Sequence, residues 1–507
     1  MKNWQFAGST AFTALILGMS AANAQVTPEE VWQNWQDMST SYGQTIKSTS
    51  ATRDGDTLRV EGAAVSMDDG AGGSFLADMG TLNFKDLGDG TVEVSMADSY
   101  PISIKSPAVD DTTRATDVTL TVTQPGMKII AGGSATDTSY AISAPTMTIN
   151  IDEAAGATAP TPDNNVDITL TGVEGKYLVS GATETKTVDS TFAIKTMGLV
   201  VAAKDTGEPF EMNFTANIAD LAGTTKGTFL GVAAMENMAE ALKAGLNIDG
   251  GFSYGKTTFD MAVTDETGPT KVTGSADGGN LTIAIDKSRL AYSVGGKAMA
   301  ITMSGASIPF PELKITYAEA LMTLLMPVSK SDVPEDFAFT TKLVDFAISD
   351  EVWAMFDPTG GLPHDPATII IDTKGKAKLT VDITDEAQTA ALGDAPPGEI
   401  HALDLTELKV KAAGAELTGT GALTFDNTDM TTFPGMPVPT GVVDMKIVGA
   451  NTLLDKLIAM GYIPEDQAMG FRMMAGMFTT VAEGEDTLTS KIEFKDKGIF
   501  ANGQRLQ

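Results

Sequence analysis

Apolar and polar residues alternate along most of this chain, and the alternation breaks about every 8–12 residues at Gly, Asp or Asn. A period of two puts successive side chains on opposite faces of a strand, so the pattern commits the chain to antiparallel sheet. Clear instances are Thr57–Gly62, Thr91–Met96, Asp117–Val122, Asn165–Leu170, Asn280–Ile285 and Thr368–Ile371. The turns have matching chemistry. Asp54-Gly55, Asp89-Gly90 and Asp277-Gly278 supply the positive φ that tight hairpins need. Threonine is frequent at the polar positions, which is consistent with one wet face per sheet.

Helical stretches are few. Pro28 to about Tyr42 has Thr27 as its N-cap, Pro28 at the first position, and Glu29 and Glu30 in the first turn. Its Val31, Trp35 and Met38 share one face, with Trp32 beside it. Further helices are predicted over Val232–Ala244, Tyr317–Met326 and Leu343–Phe356. Leu453–Val481 should hold two more, separated at Gly461-Tyr462-Ile463-Pro464. The expected fold class is mainly β with peripheral helices, a β-rich α+β chain of long, curved antiparallel sheets.

Single cores stop growing at about 250–300 residues, so two domains, or one elongated sheet, are expected. The reading is a signal peptide over 1–24, an N-terminal β-rich domain with a leading helix over 25–225, and a C-terminal β-rich domain with several helices over 226–507. The linker is read near Ala219–Gly231. Ala154–Asn165, Ala395–Gly398 and Pro434–Pro439 read as loops.

The first 24 residues read as a secretory signal. Lys2 is the positive region, Ala11–Met19 the apolar region, and Ala22-Asn23-Ala24 the small-x-small cleavage site, leaving Gln25 as the mature start. No later apolar run approaches the roughly 20 residues of a transmembrane helix. The expected location is the periplasm. The alternative is an inner-membrane anchor if the signal stays uncleaved.

Lys+Arg 34 against Asp+Glu 66 gives a net charge of −32. Such a surface repels nucleic acid and anionic headgroups. Cysteine is absent, which removes disulfides, a thiol nucleophile and a lipoprotein anchor. With only His364 and His401 present, a three-histidine zinc site is excluded. His364 sits in a Pro-bracketed loop, His401 precedes a strand, and no Gly-x-Ser-x-Gly elbow accompanies either. The acidic turns Met67–Gly70 and Asp86–Gly90 lack calcium-loop spacing and read as hairpin turns. Paired carboxylates are too plentiful to locate a glycosidase site, and aromatic platforms are scarce. A transmembrane barrel would need aromatic girdles, which the eight tyrosines and four tryptophans do not provide. No cofactor, metal site or catalytic residue is implied. The chain contains 26 methionines, and Met469, Met473, Met474 and Met477 gather on one late helix. Flexible, polarisable methionine lines surfaces that accept varied apolar partners, so these four are the candidate lining for a hydrophobic ligand. The plainer reading is packing of that helix on a sheet.

Three stretches carry a family likeness: Val31–Trp35, the loop Phe356-Asp357-Pro358 with Leu362–Thr368, and Asn451–Asp455. They resemble an uncharacterised alphaproteobacterial envelope family, domain-of-unknown-function family 2125, and the resemblance extends over nearly all of the mature chain. It implies no catalytic residues. The ending Leu488–Gly503, two short strands with an Asp/Gly turn and an Asn-Gly, is similar in architecture to AsmA-like proteins. That likeness implies a long β-rich fold concerned with envelope lipids. AsmA-like proteins usually keep an N-terminal anchor, from which the cleavable site here departs. The expected function is that of an exported, non-enzymatic envelope protein holding lipid or another hydrophobe in a sheet groove. The alternative is a structural or protein-interaction component without a ligand.

Overall fold

A computed structural model describes residues 25–507 apart from 42, 71, 108–115, 156–164, 183–184, 206–208, 232–233 and 235–236. The signal segment and most of the 154–165 loop therefore lie outside the described residues. Among the described residues 62% are strand and 13% helix, the latter in six helices, so the fold is mainly β. Its strand pairings are antiparallel. No helix among the described residues is long and apolar enough to cross a membrane.

The chain forms two compact units. One runs to Thr273 and includes Gly305–Ser307; the other is Gly274–Ser304 with Ile308–Gln507. The stretch 219–231, read as a linker, is instead almost all strand. It lies in Glu211–Leu230, paired on one side with Thr185–Lys204 and on the other with Asn247–Tyr254 and Thr257–Asp265. Its small residues and Gly227 looked like a break, but Gly227 is where the next strand's backbone comes close. A Cβ there would lie 2.3 Å from the Asn247 carbonyl oxygen.

In the first unit, helix α1 (Pro28–Ser41) begins as its sequence requires. The Thr27 Oγ1 accepts from the Glu30 N–H at 3.3 Å, and the Thr27 N–H donates to Glu30 Oε2 at 2.8 Å, a reciprocal capping box. Its inner face brings Val31, Trp32 and Trp35 onto the strands Thr57–Asp68, Ser74–Asp86 and Val92–Ser95, where Val60, Leu82, Phe84 and Val92 are sealed from water. Phe84 meets both indoles, at 5.8 Å from Trp32 and 5.5 Å, edge-on, from Trp35. The one buried amide of α1 is satisfied: Asn34 Nδ2 donates to Thr138 Oγ1 at 3.0 Å and Tyr140 Oη donates to Asn34 Oδ1 at 3.1 Å. Burial holds the Tyr140 hydroxyl protonated well above its ordinary range. The short helix α2 (Met238–Lys243), capped by Asn237, is what the structure shows of the helix read over Val232–Ala244.

Two helix expectations in the second unit are corrected. Tyr317–Met326 lies inside the strand Leu313–Pro327, and Leu343–Phe356 is the end of the strand Glu335–Ile348 followed by α3 (Asp350–Phe356). Ala, Leu, Met and Glu favour helix locally, but both flanks of each segment find antiparallel partners, and pairing overrides a propensity of under a kcal/mol per residue. Helix α4 (Glu386–Leu392) was unforeseen, although Asp385 caps two of its N–H groups. The final pair is as expected: α5 (Ala450–Ala459) and α6 (Glu465–Phe478). The closing hairpins turn at Asp496-Lys497 and Asn502-Gly503, where all four residues have positive φ.

Candidate functional site

The second unit is built on strands paired in chain order: Gly278–Ile285, Arg289–Gly305, Leu313–Pro327, Glu335–Ile348, Ala367–Leu379, Gly398–Ala412, Ala415–Asp426, Val438–Val448 and Thr487–Lys495. Directly paired residues point to the same face. The registers therefore line up whole rows across these nine strands. One row is Ile283, Tyr292, Leu324, Phe339, Thr373, Leu405, Gly421, Val443 and Ile492; the next is Leu281, Val294, Met322, Thr341, Ile371, Leu408, Gly419, Met445 and Ser490. A third carries Leu343, Ile369, Val410, Leu417, Ile447 and Leu488. Where this face has a glycine, a neighbour can fill the space. The Phe337 ring lies over Gly375, 2.7 Å from where a Cβ would be.

The opposite face carries more charge, mixed with apolar side chains such as Leu321, Leu325 and the buried Ile370. One row there is Lys342, Ile370, Lys409, Thr418, Lys446 and Thr489. Ion pairs cross it at Lys376–Asp336 (2.8 Å) and Lys378–Glu399 (2.9 Å), and Thr340 Oγ1 donates to Asp372 Oδ1 at 2.9 Å. The register shifts at Leu405/Leu408 and Asp372/Thr373 matter here. They are one bulge seen from its two neighbouring strands: the extra residue Thr406 in Gly398–Ala412 keeps Leu405 and Leu408 on one face.

Among the described residues no helix of this unit seals the apolar face. Helices α3, α4 and α5 bury no residue, and α6 buries only Ala468. Within the two full rows only Gly419 and Ser490 are buried. Ile283, Met322 and Ile369 are 41%, 42% and 43% exposed. Strand neighbours shield the flanks of these side chains while their tops stay accessible. An accessible apolar surface of this kind is the type of surface that can bind a partner by area.

The methionines picked out in the sequence are elsewhere. Met469, Met473, Met474 and Met477 project from α6 at 66%, 72%, 52% and 58% exposure, so the plainer reading, packing on a sheet, does not describe them. The residues of the apolar rows were not singled out from the sequence. The signal was present as the alternation of each strand, but only the registers join the strands into one face.

The histidine loop is a structural knot. Asp357, buried, accepts from the N–H groups of Leu362 (2.6 Å) and Gly361 (2.8 Å) and from Thr359 Oγ1 (3.2 Å), and these donors hold its carboxyl below the usual range. His364 stacks on Trp353 at 4.6 Å and sets Nδ1 3.2 Å from Asp350 Oδ1. His401 Nε2 lies 3.4 Å from Glu399 Oε2, two residues back on the same strand, Gly398–Ala412. The acidic turns are likewise occupied by backbone. Asp68, Asp69, Asp86 and Asp89 accept N–H groups of Gly70, Gly73, Gly88 and Thr91 at 2.8–3.0 Å. Among the described residues no three acidic or histidine side chains gather to hold a metal ion. At α5, Asp486 accepts from the Thr452 N–H at 2.7 Å and from Asn451 Nδ2 at 2.8 Å, which caps the helix from the far side of α6.

Residues 258–506 match the family described as an uncharacterized protein conserved in bacteria (DUF2125). Over that span the chain is similar to DUF2125. The span is narrower than the near-complete resemblance read from the sequence. It holds the Phe356–Thr368 and Asn451–Asp455 stretches and leaves out Val31–Trp35. Its motifs now have physical meanings: the Asp357 knot and the Asp486 cap are both fold-forming. No curated protein and no solved structure matches the chain. The apolar rows fall wholly within the DUF2125 span.

Proposed function

We propose that this is an exported, non-enzymatic protein of the bacterial envelope that holds lipid, or another elongated hydrophobe, on the apolar face of its second unit. The observation that carries this reading is the accessible, predominantly apolar face that spans nine strands, with Thr341, Thr373 and Ser490 as its polar positions. At about 4.8 Å per strand step a row is about 38 Å long, against about 15 Å for one leaflet of a bilayer's hydrocarbon core. The face therefore suits a ligand with several chains or one long one. Each methylene it removes from water contributes about 0.8 kcal/mol. Export rests on the signal-like first 24 residues, and an AsmA-like role in lipid handling remains part of the proposal.

The test is mass spectrometry of an organic extract from mature protein purified from its native periplasm without detergent. Stoichiometric hydrophobe is expected, and Ile371→Asp, in the middle of a row, should lose at least tenfold of it. Thr418→Asp, between Lys409 and Lys446 on the opposite face, should keep it. A clean extract from folded wild type that also takes up no added lipid overturns the reading and leaves the interaction component in its place.

A further inference from the structure

Helix α6 is a place where apolar side chains point outward on a helix instead of lying on a sheet. Met469, Met473 and Met477 recur at i, i+4 and i+8, so they form one line along it, with Met474 alongside. The helix is held beside this line and at its C-terminal end. Arg472 pairs with Asp455 of α5, and the Phe478 carbonyl accepts from Ser490 Oγ at 2.7 Å and from Asn502 Nδ2 at 2.9 Å. The same end of the unit exposes Met355, Phe356 and Tyr462, and Tyr462 Oη donates to the Phe356 carbonyl at 2.6 Å.

We propose that α6 docks this unit onto the surface of a neutral, zwitterionic bilayer, with the Met469, Met473 and Met477 line entering the interface. Charge favours that partner. Within a chain of net charge −32, residues 467–482 contain no acidic side chain and one basic one, Arg472. The acids of α6, Glu465 and Asp466, are confined to its first turn, where they suit the helix dipole and stay at headgroup level. The acidic remainder repels an anionic surface, so the lipid is neutral. Size disfavours a second protein chain. A 14-residue helix is about 21 Å long and about 10 Å wide, far short of the roughly 800 Å² per partner of a stable protein interface. Shape points the same way, because a convex helix edged with flexible, unbranched side chains meets a fluid apolar medium without needing a matching pocket.

The experiment is flotation of the full mature chain with phosphatidylcholine vesicles. Wild type should float with them. A triple variant, Met469→Ser, Met473→Ser and Met477→Ser, should lose at least tenfold of that binding with an unchanged thermal transition. Adding phosphatidylglycerol should weaken wild-type flotation at low salt. Wild type that stays at the bottom with phosphatidylcholine, a triple variant that floats like wild type, or a wild-type dimer that the triple substitution dissociates would each overturn the proposal. The hydrophobe content of the triple variant, expected to equal wild type, separates this result from that of the ligand face, which Ile371→Asp reports.

Discussion

Phe84 in the first unit, paired with Leu58 and Val94, and Leu405 in the second, paired with Thr373 and Gly421, are both apolar residues on antiparallel strands. Phe84 is sealed, under two indoles; Leu405 is part-exposed. The strands do not differ in kind. What differs is a cover. Helix α1 lays Val31, Trp32 and Trp35 across its sheet, whereas α3 to α6 interrupt the strand series as connections and bury almost nothing. An antiparallel sheet with one apolar face must have that face covered by something. In the first unit the chain covers it from its own sequence. In the second the described helices leave it accessible, and the proposed function assigns its cover to a ligand.

The sharpest way to break this comparison is to truncate matched residues. Phe84→Ala should destabilise the first unit by about 3–5 kcal/mol, the range for a sealed aromatic. Leu405→Ala should cost the second unit about 1–2 kcal/mol, below the about 2–5 kcal/mol of a sealed leucine. Denaturant unfolding followed by the fluorescence of Trp32 and Trp35 in a Trp353→Phe background reads the first unit, and Trp353 alone reads the second. Equal losses would mean that the apolar face is as closed as the α1 core. A smaller effect is expected for Asn34→Ala, which leaves the Tyr140 hydroxyl and Thr138 without their buried partner. About 1–3 kcal/mol should be lost, and the phenol should remain hard to ionise in an ultraviolet titration. Stability unchanged by Asn34→Ala would show that α1 is held by its apolar face alone.

The smallest effect concerns acid. Lys497, first, and then the N–H and hydroxyl groups of Thr432 and the N–H of Thr431 hold the Asp429 carboxyl far below its usual range. Its folded value is below its unfolded one, so its contribution is present above about pH 4. That contribution fades as pH falls further. Asp429→Asn should therefore flatten the acid limb of the second unit's stability between about pH 4 and pH 2 and leave the first unit's limb unchanged. Thermal scans across that range check it, and an unchanged limb in the variant would sink the assignment.

Much of this architecture was legible residue by residue. The strands at Thr57–Gly62, Asn165–Leu170 and Asn280–Ile285 and the helix opening at Thr27-Pro28 were readable because period-two alternation and capping chemistry are local. Tyr317–Met326 was not, since its helix-favouring residues are ruled by two distant strand partners. The acidic turns gave up their role early, because an Asp two residues before an N–H has a nearby use for its carboxylate. The candidate site was legible only in fragments. Every strand displayed its apolar alternation, yet nothing local said that Ile371, Leu408 and Met445 would fall into one row, nor that the methionines of α6 would face outward.

By itself, then, the sequence determined the β class, the turn chemistry, the acidic surface and the candidate export signal, all of which depend on residue identity and near-neighbour spacing. Tertiary structure decided which alternating strands share a face, which apolar face receives a covering helix and which stays accessible. Those outcomes depend on hydrogen-bond register and on docking between segments far apart in the chain. A one-residue change of register would turn a row over to the other face without altering any local pattern.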